Sequence, residues 1–187
     1  NANATVAGNV TISSGATLYG DGATINAGGN WSNSGTFNAG TGSVAINGTG
    51  AQAISPTTFN NLSINKSAGT ATLSGNVTIN SNLSVQSGTF DLETYTSNRS
   101  AAGGLLSISN GATLIAGGAN NFPQNYAAQT AGVTSTVHYN GTVAQTVAGI
   151  TYGNLIFSNG GASAKTLNSS ATVSGDISIN NGASFNA

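Results

Sequence analysis

The residues that could carry acid–base or metal chemistry are few in this sequence. Its acidic residues are Asp21, Asp91, Glu93 and Asp176, and His138 is the single histidine. Asp91 and Glu93 are two positions apart, so on a strand they would share a face and could hold a cation. No further carboxylate and no Gly-rich calcium-binding repeat accompanies them. We therefore favour two solvated surface acids, with a calcium site at this pair as the open alternative.

Catalysis requires titratable groups that converge on one place. His138 stands alone in an apolar context, and no Ser-His-Asp order with a local signature surrounds it. Glycosidases and polysaccharide lyases need paired carboxylates or a basic groove, but the chain has only three lysines and arginines. It has no cysteine, which excludes thiolate metal sites and disulfides. We expect no enzyme activity, no catalytic residues and no cofactor.

Charged residues make up only 4% of the chain, whereas about a quarter is usual in soluble domains. With a net charge of −1, the chain lacks the basic footprint that neutralises phosphates in nucleic-acid-binding proteins. No stretch approaches the roughly 18 consecutive apolar residues of a membrane-spanning helix. Nucleic acids and membrane insertion are therefore not expected. Hydrophobic residues still account for 38%, which is enough to build a core.

Two related copies make up the chain. Residues 43–64 align with residues 136–157, so that Leu62 matches Leu155 at an offset of 93. Upstream, residues 10–18 match residues 106–114 at an offset of 96. The copies span about 1–94 and 95–187. Such a period is typical of repeat architectures.

A finer pattern lies inside each copy. Apolar residues alternate in short runs, as in Val77/Ile79 and Leu83/Val85, and small polar residues separate the runs. This pattern predicts short strands with one buried face. Asn-Gly pairs supply the positive φ of tight turns. Hairpins of a sandwich and coils of a β-solenoid both fit, but a sandwich normally protects its edges with lysines or inward charges, which favours the solenoid here.

We therefore predict an all-β, single-domain β-solenoid over 1–187, a parallel β-helix without a capping helix. About eight to ten coils of about 18–24 residues would stack about 4.8 Å apart, with right-handed winding preferred. Segments 95–104 and 119–135 break the rhythm and are predicted to form loops that bulge from the coils. Most aromatic residues follow the repeat and are expected in the core: Trp31, Phe37, Phe59, Tyr152, Phe157 and Phe185.

The string GNWSNSGTFNAGTGSVAINGTGAQAI and the later TTFNNLSINKSAGTATLSGNVTINSNLSV resemble repeats of very large secreted bacterial surface proteins. These are adhesin-like β-helix proteins of the Bacteroidetes type. The resemblance covers nearly the whole chain and implies secretion, a β-helical rod and a place at the cell surface or in the extracellular matrix. Independently of the resemblance, exposed aromatic rings such as Tyr19 and Tyr126 could stack on sugars, which makes cell-surface or matrix glycans candidate partners.

The two ends of the chain carry the same pattern. Residues 172–185 repeat residues 5–18, and neither end shows the polar cap that an isolated solenoid requires. Asp176 takes the place of Asn9 in this alignment, which indicates a turn residue. We predict that copies of the chain pair head to tail and propagate as a filament. The predicted interface residues are Val6, Val10, Ile12 and Leu18 at one end, and Val173, Ile177, Ile179 and Phe185 at the other.

Two alternatives stay open at this point. The chain lacks methionine, so we expect a processed protein or a piece of a longer one, and the same coils would then be a stalk segment of a long adhesin. Ice binding is the second alternative, because low-charge solenoids rich in Thr and Asn can present a regular flat face. It requires an outward threonine ladder, and T-x-T is rare, as at Thr70/Thr72 and Thr94/Thr96.

Overall fold

The computed structural model of the protein describes residues 2–119, 122–159 and 163–187. These residues form strands joined by turns and contain no helix. No helix among them is therefore long and apolar enough to cross a membrane. In chain order the strands are β1 Ala4–Val6, β2 Val10–Ile12, β3 Thr17–Tyr19, β4 Thr24–Ala27, β5 Trp31–Asn33, β6 Thr36–Asn38, β7 Ser43–Ile46, β8 Gln52–Ile54, β9 Thr58–Phe59, β10 Asn61–Leu73, β11 Val77–Ile79, β12 Leu83–Asp91, β13 Ser97–Arg99, β14 Gly103–Ile108, β15 Thr113–Ala116, β16 Tyr126–Ala131, β17 Thr136–Tyr139, β18 Gln145–Val147, β19 Thr151–Tyr152, β20 Asn154–Phe157, β21 Lys165–Leu167, β22 Thr172–Val173, β23 Ile177–Ile179 and β24 Phe185–Asn186.

Successive strands occupy three faces in rotation, and one passage through the three faces makes one coil. Face A starts with β1, β4 and β7, face B with β2, β5 and β8, and face C with β3, β6 and β9. The long strands β10 and β12 turn the corner from face A to face B, which joins both faces in one 14-stranded sheet. Later coils add β14, β16, β19 and β22 to face A, β15, β17, β20 and β23 to face B, and β11, β13, β18, β21 and β24 to face C.

Every strand pair among the described residues is parallel and joins one coil to the next. The spacing varies from 18 residues, as in Ile46–Ile64, to 24 residues, as in Phe90–Leu114. About nine coils result, which we number 1 to 9 from the N-terminus. The predicted β-solenoid of about eight to ten coils is confirmed. At about 4.8 Å per coil, the rod is about 40 Å long.

The core is a single column of inward side chains that continues through the coils. Alternation within each strand sends one side chain inward and the next outward, so inward residues of successive coils stack on one another. Aromatic rings fill the wider places: the ring centroid of Trp31 lies 4.9 Å from that of Phe37 and 5.4 Å from that of Phe59. Of the aromatics expected in the core, Trp31, Phe59, Tyr152 and Phe157 are buried, and Phe37 and Phe185 are half-buried.

The segments predicted to bulge contain strands that run within the coils. Segment 95–104 includes β13, and in segment 119–135 strand β16 pairs with β14; residues 120 and 121 lie outside the described residues. Tyr126, expected to be exposed, is 7% exposed, and its hydroxyl donates to the Ser97 carbonyl over 2.9 Å. That expectation was wrong. Polar residues flank Tyr126 in the sequence, but its ring points inward, and its hydroxyl connects coil 7 to coil 5.

The two sequence copies do not lie above one another in the solenoid. Val44 lies on face A in β7, whereas its match Val137 lies on face B in β17. This match is rotated by one face, because its offset of 93 residues covers four coils and one further strand. The upstream match at an offset of 96 residues covers four coils and two further strands, so that Val10 on face B matches Leu106 on face A. The terminal repeats behave differently: β1, β2 and β3 match β22, β23 and β24 on the same three faces.

Candidate functional site at the ends and corners of the solenoid

The C-terminal end exposes side chains that are core residues everywhere else. Ile177 and Ile179 pair with Leu155 and Phe157 of the preceding coil and point inward as they do. Leu155 and Phe157 are buried, but Ile177 is 50% exposed and Ile179 is 53% exposed. No described coil covers their outer side. Phe185 stacks on Phe157 with a centroid distance of 4.5 Å and completes this apolar end.

The N-terminal end is concave. The predicted interface residues Val6, Val10, Ile12 and Leu18 line a depression of about 370 Å³ together with Ile25. Val10 and Ile12 lie at its floor and are largely buried, whereas Val6 and Leu18 are partly exposed. All eight residues predicted from the terminal repeats therefore lie at the two ends, four at each. One end presents apolar side chains and the other an apolar depression.

The strand intervals of the first and last coils are the same. From face A to face C, the inward residues are Val6, Val10, Ile12 and Leu18 in coil 1, and their counterparts in coil 9 follow at the same intervals. Equal intervals would let coil 9 of one copy meet coil 1 of another without a bulge on any face. Such a bulge does occur inside the rod: Ala27 and Trp31 of coil 2 are four residues apart, whereas their partners Ile46 and Ile54 in coil 3 are eight residues apart.

Asparagine side chains connect neighbouring coils at the corners. The Oδ1 atom of Asn9 accepts the backbone N–H of Asn30 over 2.8 Å, and Asn30 in turn accepts the N–H of Ala53 over 2.8 Å. At the other end, Asn154 Oδ1 accepts the N–H of Asp176 over 3.0 Å. Each asparagine satisfies a corner donor that no strand ladder reaches. We call this series the asparagine ladder.

The corner between β7 and β8 in coil 3 encloses a buried ammonium group. Lys66, from coil 4, is 1% exposed, and its Nζ donates to the carbonyl oxygens of Gly48 and Gly50 over 2.6 and 2.8 Å and to Gln52 Oε1 over 2.6 Å. These acceptors match the three N–H bonds of an ammonium group. Burial lowers the pKa of Lys66. Gln52 also reaches back to coil 2, where its Nε2 donates to the carbonyl oxygens of Ala27 and Gly29.

A related arrangement occurs at the corner between β17 and β18 in coil 7, where the lysine bonds to backbone carbonyls and no hydrogen bond among the described residues joins it to the glutamine. Gln145 Nε2 donates to the carbonyl oxygens of Ala116 and Gly118 over 2.8 Å, and the fully buried Lys165 donates to Gly141 O over 2.5 Å. Burial lowers the pKa of Lys165 as well. The sequence carries one signal for these corners, the repeated Asn-Gly-Thr-x-Ala-Gln at 47–52 and 140–145. We name the two places the glutamine–lysine corners.

The chain matches no protein-family model, no curated protein and no solved structure.

The residues first considered for chemistry do not form one cluster. Asp91 faces outward at the end of β12, and its Oδ1 accepts the N–H of Glu93 over 2.8 Å. Glu93 follows in a turn with φ of 50°, so the two carboxylates do not share a strand face. Among the described residues, no three His, Asp or Glu side chains are grouped to hold a metal ion.

His138 faces outward on face B and its Nε2 lies 2.7 Å from Ser158 Oγ. Burial lowers the pKa of His138 against the opposing effect of Asp91. Among the described residues this histidine bonds to a serine hydroxyl and to no acid, which is the geometry of a surface polar pair.

Candidate glycan-binding features are separated in space. Tyr19 is 62% exposed on face C of coil 1. A cleft of about 340 Å³ lies instead beside coils 6 to 8 and is lined by amide and hydroxyl side chains, including Gln129, Thr146 and Asn168. Its one aromatic lining residue, Phe122, is buried. The structure does not bring an exposed ring and this polar cleft together.

Proposed function

We propose that the protein is an extracellular structural protein of bacterial origin whose β-solenoid subunits assemble end to end into a surface or matrix filament. The observation that carries the proposal is the half-exposure of Ile177 and Ile179, two inward-facing positions whose counterparts are buried in the preceding coils. Burying them against the N-terminal depression of another copy would remove apolar surface from water and pair open strand edges. A head-to-tail contact of this kind does not close on itself and so propagates.

The extracellular setting rests on the resemblance of the repeats to secreted bacterial surface proteins. The scarcity of charge supports the structural role, because neighbouring coils stack side chains of the same type and repeated charges would repel one another. No titratable cluster in the described residues points to catalysis.

Electron microscopy and analytical ultracentrifugation of the purified chain over a range of concentrations test the proposal. We expect rods that lengthen with concentration. The double variant Ile177→Lys, Ile179→Lys places two charges on the end surface and should leave monomers. Ser178→Lys is the matched control, because Ser178 lies between them and faces outward. Monodisperse wild-type monomers would contradict the proposal; a junction that forms only within a longer polypeptide would instead indicate the stalk of an adhesin.

Ice binding is a second candidate with one favourable observation. Thr70, Thr89, Thr113 and Thr136 pair in succession, giving a threonine row that crosses four coils. The row does not appear as a T-x-T pattern in the sequence because it runs from coil to coil. The neighbouring outward row on the same face is mixed, with Thr72, Asp91, Ile115 and His138. A thermal-hysteresis assay on the wild type and on Thr113→Tyr decides whether the row meets ice.

A further inference from the structure

At two places in the asparagine ladder, a glycine directly precedes the residue that donates its N–H, and the reason is steric. A Cβ added to Gly29 would lie 2.5 Å from Asn9 Oδ1, the atom that accepts the N–H of Asn30. A Cβ on Gly175 would collide in the same way with Asn154 Oδ1, which accepts the N–H of Asp176. At these corners the glycine makes room for the side-chain oxygen of the coil before it.

Gly8 occupies this position in the first coil but has no such neighbour. It precedes Asn9 just as Gly29 precedes Asn30, and a Cβ on Gly8 would meet no described atom within 4 Å. Its φ is not positive, so no backbone requirement explains the glycine. The open space beside Gly8 can therefore admit an oxygen-bearing side chain from a coil stacked on coil 1.

The backbone N–H beside this space is also without a partner. Asn30 and Asp176 each donate their N–H to an asparagine of the coil before them. The N–H of Asn9 has no acceptor among the described residues.

The last coil carries the missing acceptor. Asp176 occupies the ladder position of coil 9, just before the face B strand β23, and its side chain is exposed. Its carboxylate makes no hydrogen bond to the described residues and would accept an N–H more strongly than an amide oxygen does. The first and last coils share their strand intervals, so stacking them places Asp176 opposite Gly8 and Asn9.

We propose that Gly8 and the N–H of Asn9 form a socket for the carboxylate of Asp176 from a second copy of the chain. This inference rests on the proposed end-to-end assembly and assigns the polar contact that fixes its register. The hydrogen bond continues the asparagine ladder across the junction, and the missing Cβ of Gly8 lets the carboxylate approach. The apolar residues supply the buried area of the junction. The polar contact fixes which of three rotations about the rod axis aligns one copy with the next.

The test compares the critical concentration for assembly of the wild type with that of single variants. Gly8→Ala should leave thermal unfolding of the monomer unchanged, because the added methyl group meets open space. It should raise the critical concentration roughly tenfold or more, as the loss of a hydrogen bond to a charged group predicts. Asp176→Ala should do the same, and Asp176→Asn should stay within a few-fold of the wild type. Gly50→Ala is the matched control, since Gly50 also has open space around its Cα.

The outcomes separate the two proposals. Assembly of the wild type with unchanged assembly of Gly8→Ala and Asp176→Ala would overturn the socket and leave end-to-end stacking in place. A wild type that stays monomeric at every concentration would overturn the filament and the socket together.

Discussion

The ammonium nitrogen of Lys66 lies 2.6 Å from the side-chain oxygen of Gln52, and both groups are buried. The contact joins coil 4 to coil 3, and Gln52 continues it to coil 2. Three consecutive coils are thereby held at one corner. Both lysines of the sequence, Lys66 and Lys165, donate hydrogen bonds to backbone carbonyls of the preceding coil. Lysine therefore connects neighbouring coils in this solenoid.

Lys66→Met should destabilise the protein by about 3 kcal/mol, because it removes the donor to the part-buried carbonyls of Gly48 and Gly50 and one of the two donors to Gln52 Oε1, which keeps the Gly48 N–H. Chemical denaturation followed by circular dichroism measures the change. Ser67→Ala is the control, as Ser67 is exposed next to Lys66. An unchanged midpoint would mean that water replaces the ammonium group at no cost.

The contact between Lys66 and Gln52 should also be energetically coupled. Combining Lys66→Met with Gln52→Leu removes both polar groups, so the double variant should lose less stability than the two single variants together. We expect a coupling of about 1–3 kcal/mol, the range for directly contacting residues. Additive losses would show that each side chain acts through its backbone contacts alone.

The strands could be read from the sequence, but the glutamine–lysine corners could not. Alternation at Val77/Ile79 reports a strand locally, and the terminal repeats located the end residues because coils 1 and 9 share their faces. The role of the lysines could not be predicted because their spacing from the glutamines differs: Lys66 follows Gln52 by 14 residues, and Lys165 follows Gln145 by 20. One lysine lies in a corner and the other begins a strand, so only stacking brings them to equivalent places.

Alkaline pH should unfold the protein through a buried pair of tyrosines. The hydroxyl oxygens of Tyr139 and Tyr152 lie 3.1 Å apart, Tyr152 donates to Ala148 O over 2.6 Å, and the Ala148 N–H donates to Tyr139. Burial raises the pKa of Tyr139 to about 12 from its usual 10.0, and burial raises the pKa of Tyr152.

The folded protein therefore keeps these protons at a pH where the unfolded chain loses them. Their stabilising contribution is complete below pH 10 and is lost as the pH rises towards 12, by on the order of 2–3 kcal/mol for Tyr139. Denaturation measured between pH 8 and 12 should show the decline, and Tyr139→Phe should make it shallower, while the buried Tyr152 keeps part of it. Tyr19→Phe, at an exposed ring, should leave the curve as it is.

Engineered cysteines should report the register of the junction between copies. Within the rod, Thr151 pairs with Thr172 and Thr5 with Asn26, all facing outward on face A. If coil 9 of one copy stacks on coil 1 of the next in the predicted register, Thr172 of the first lies beside Thr5 of the second. Their Cα atoms would then be about 4.8 Å apart, within the range for a disulfide. The chain has no native cysteine to interfere.

Mixing Thr5→Cys with Thr172→Cys under mild oxidation should therefore give covalent heterodimers on non-reducing gels. Replacing the second variant by Thr151→Cys moves the thiol one coil away, to about 10 Å, and should abolish the product. Equal cross-linking by both pairs would indicate random collision. Homodimers of either single variant, in place of heterodimers, would indicate contact between like ends and would contradict head-to-tail stacking.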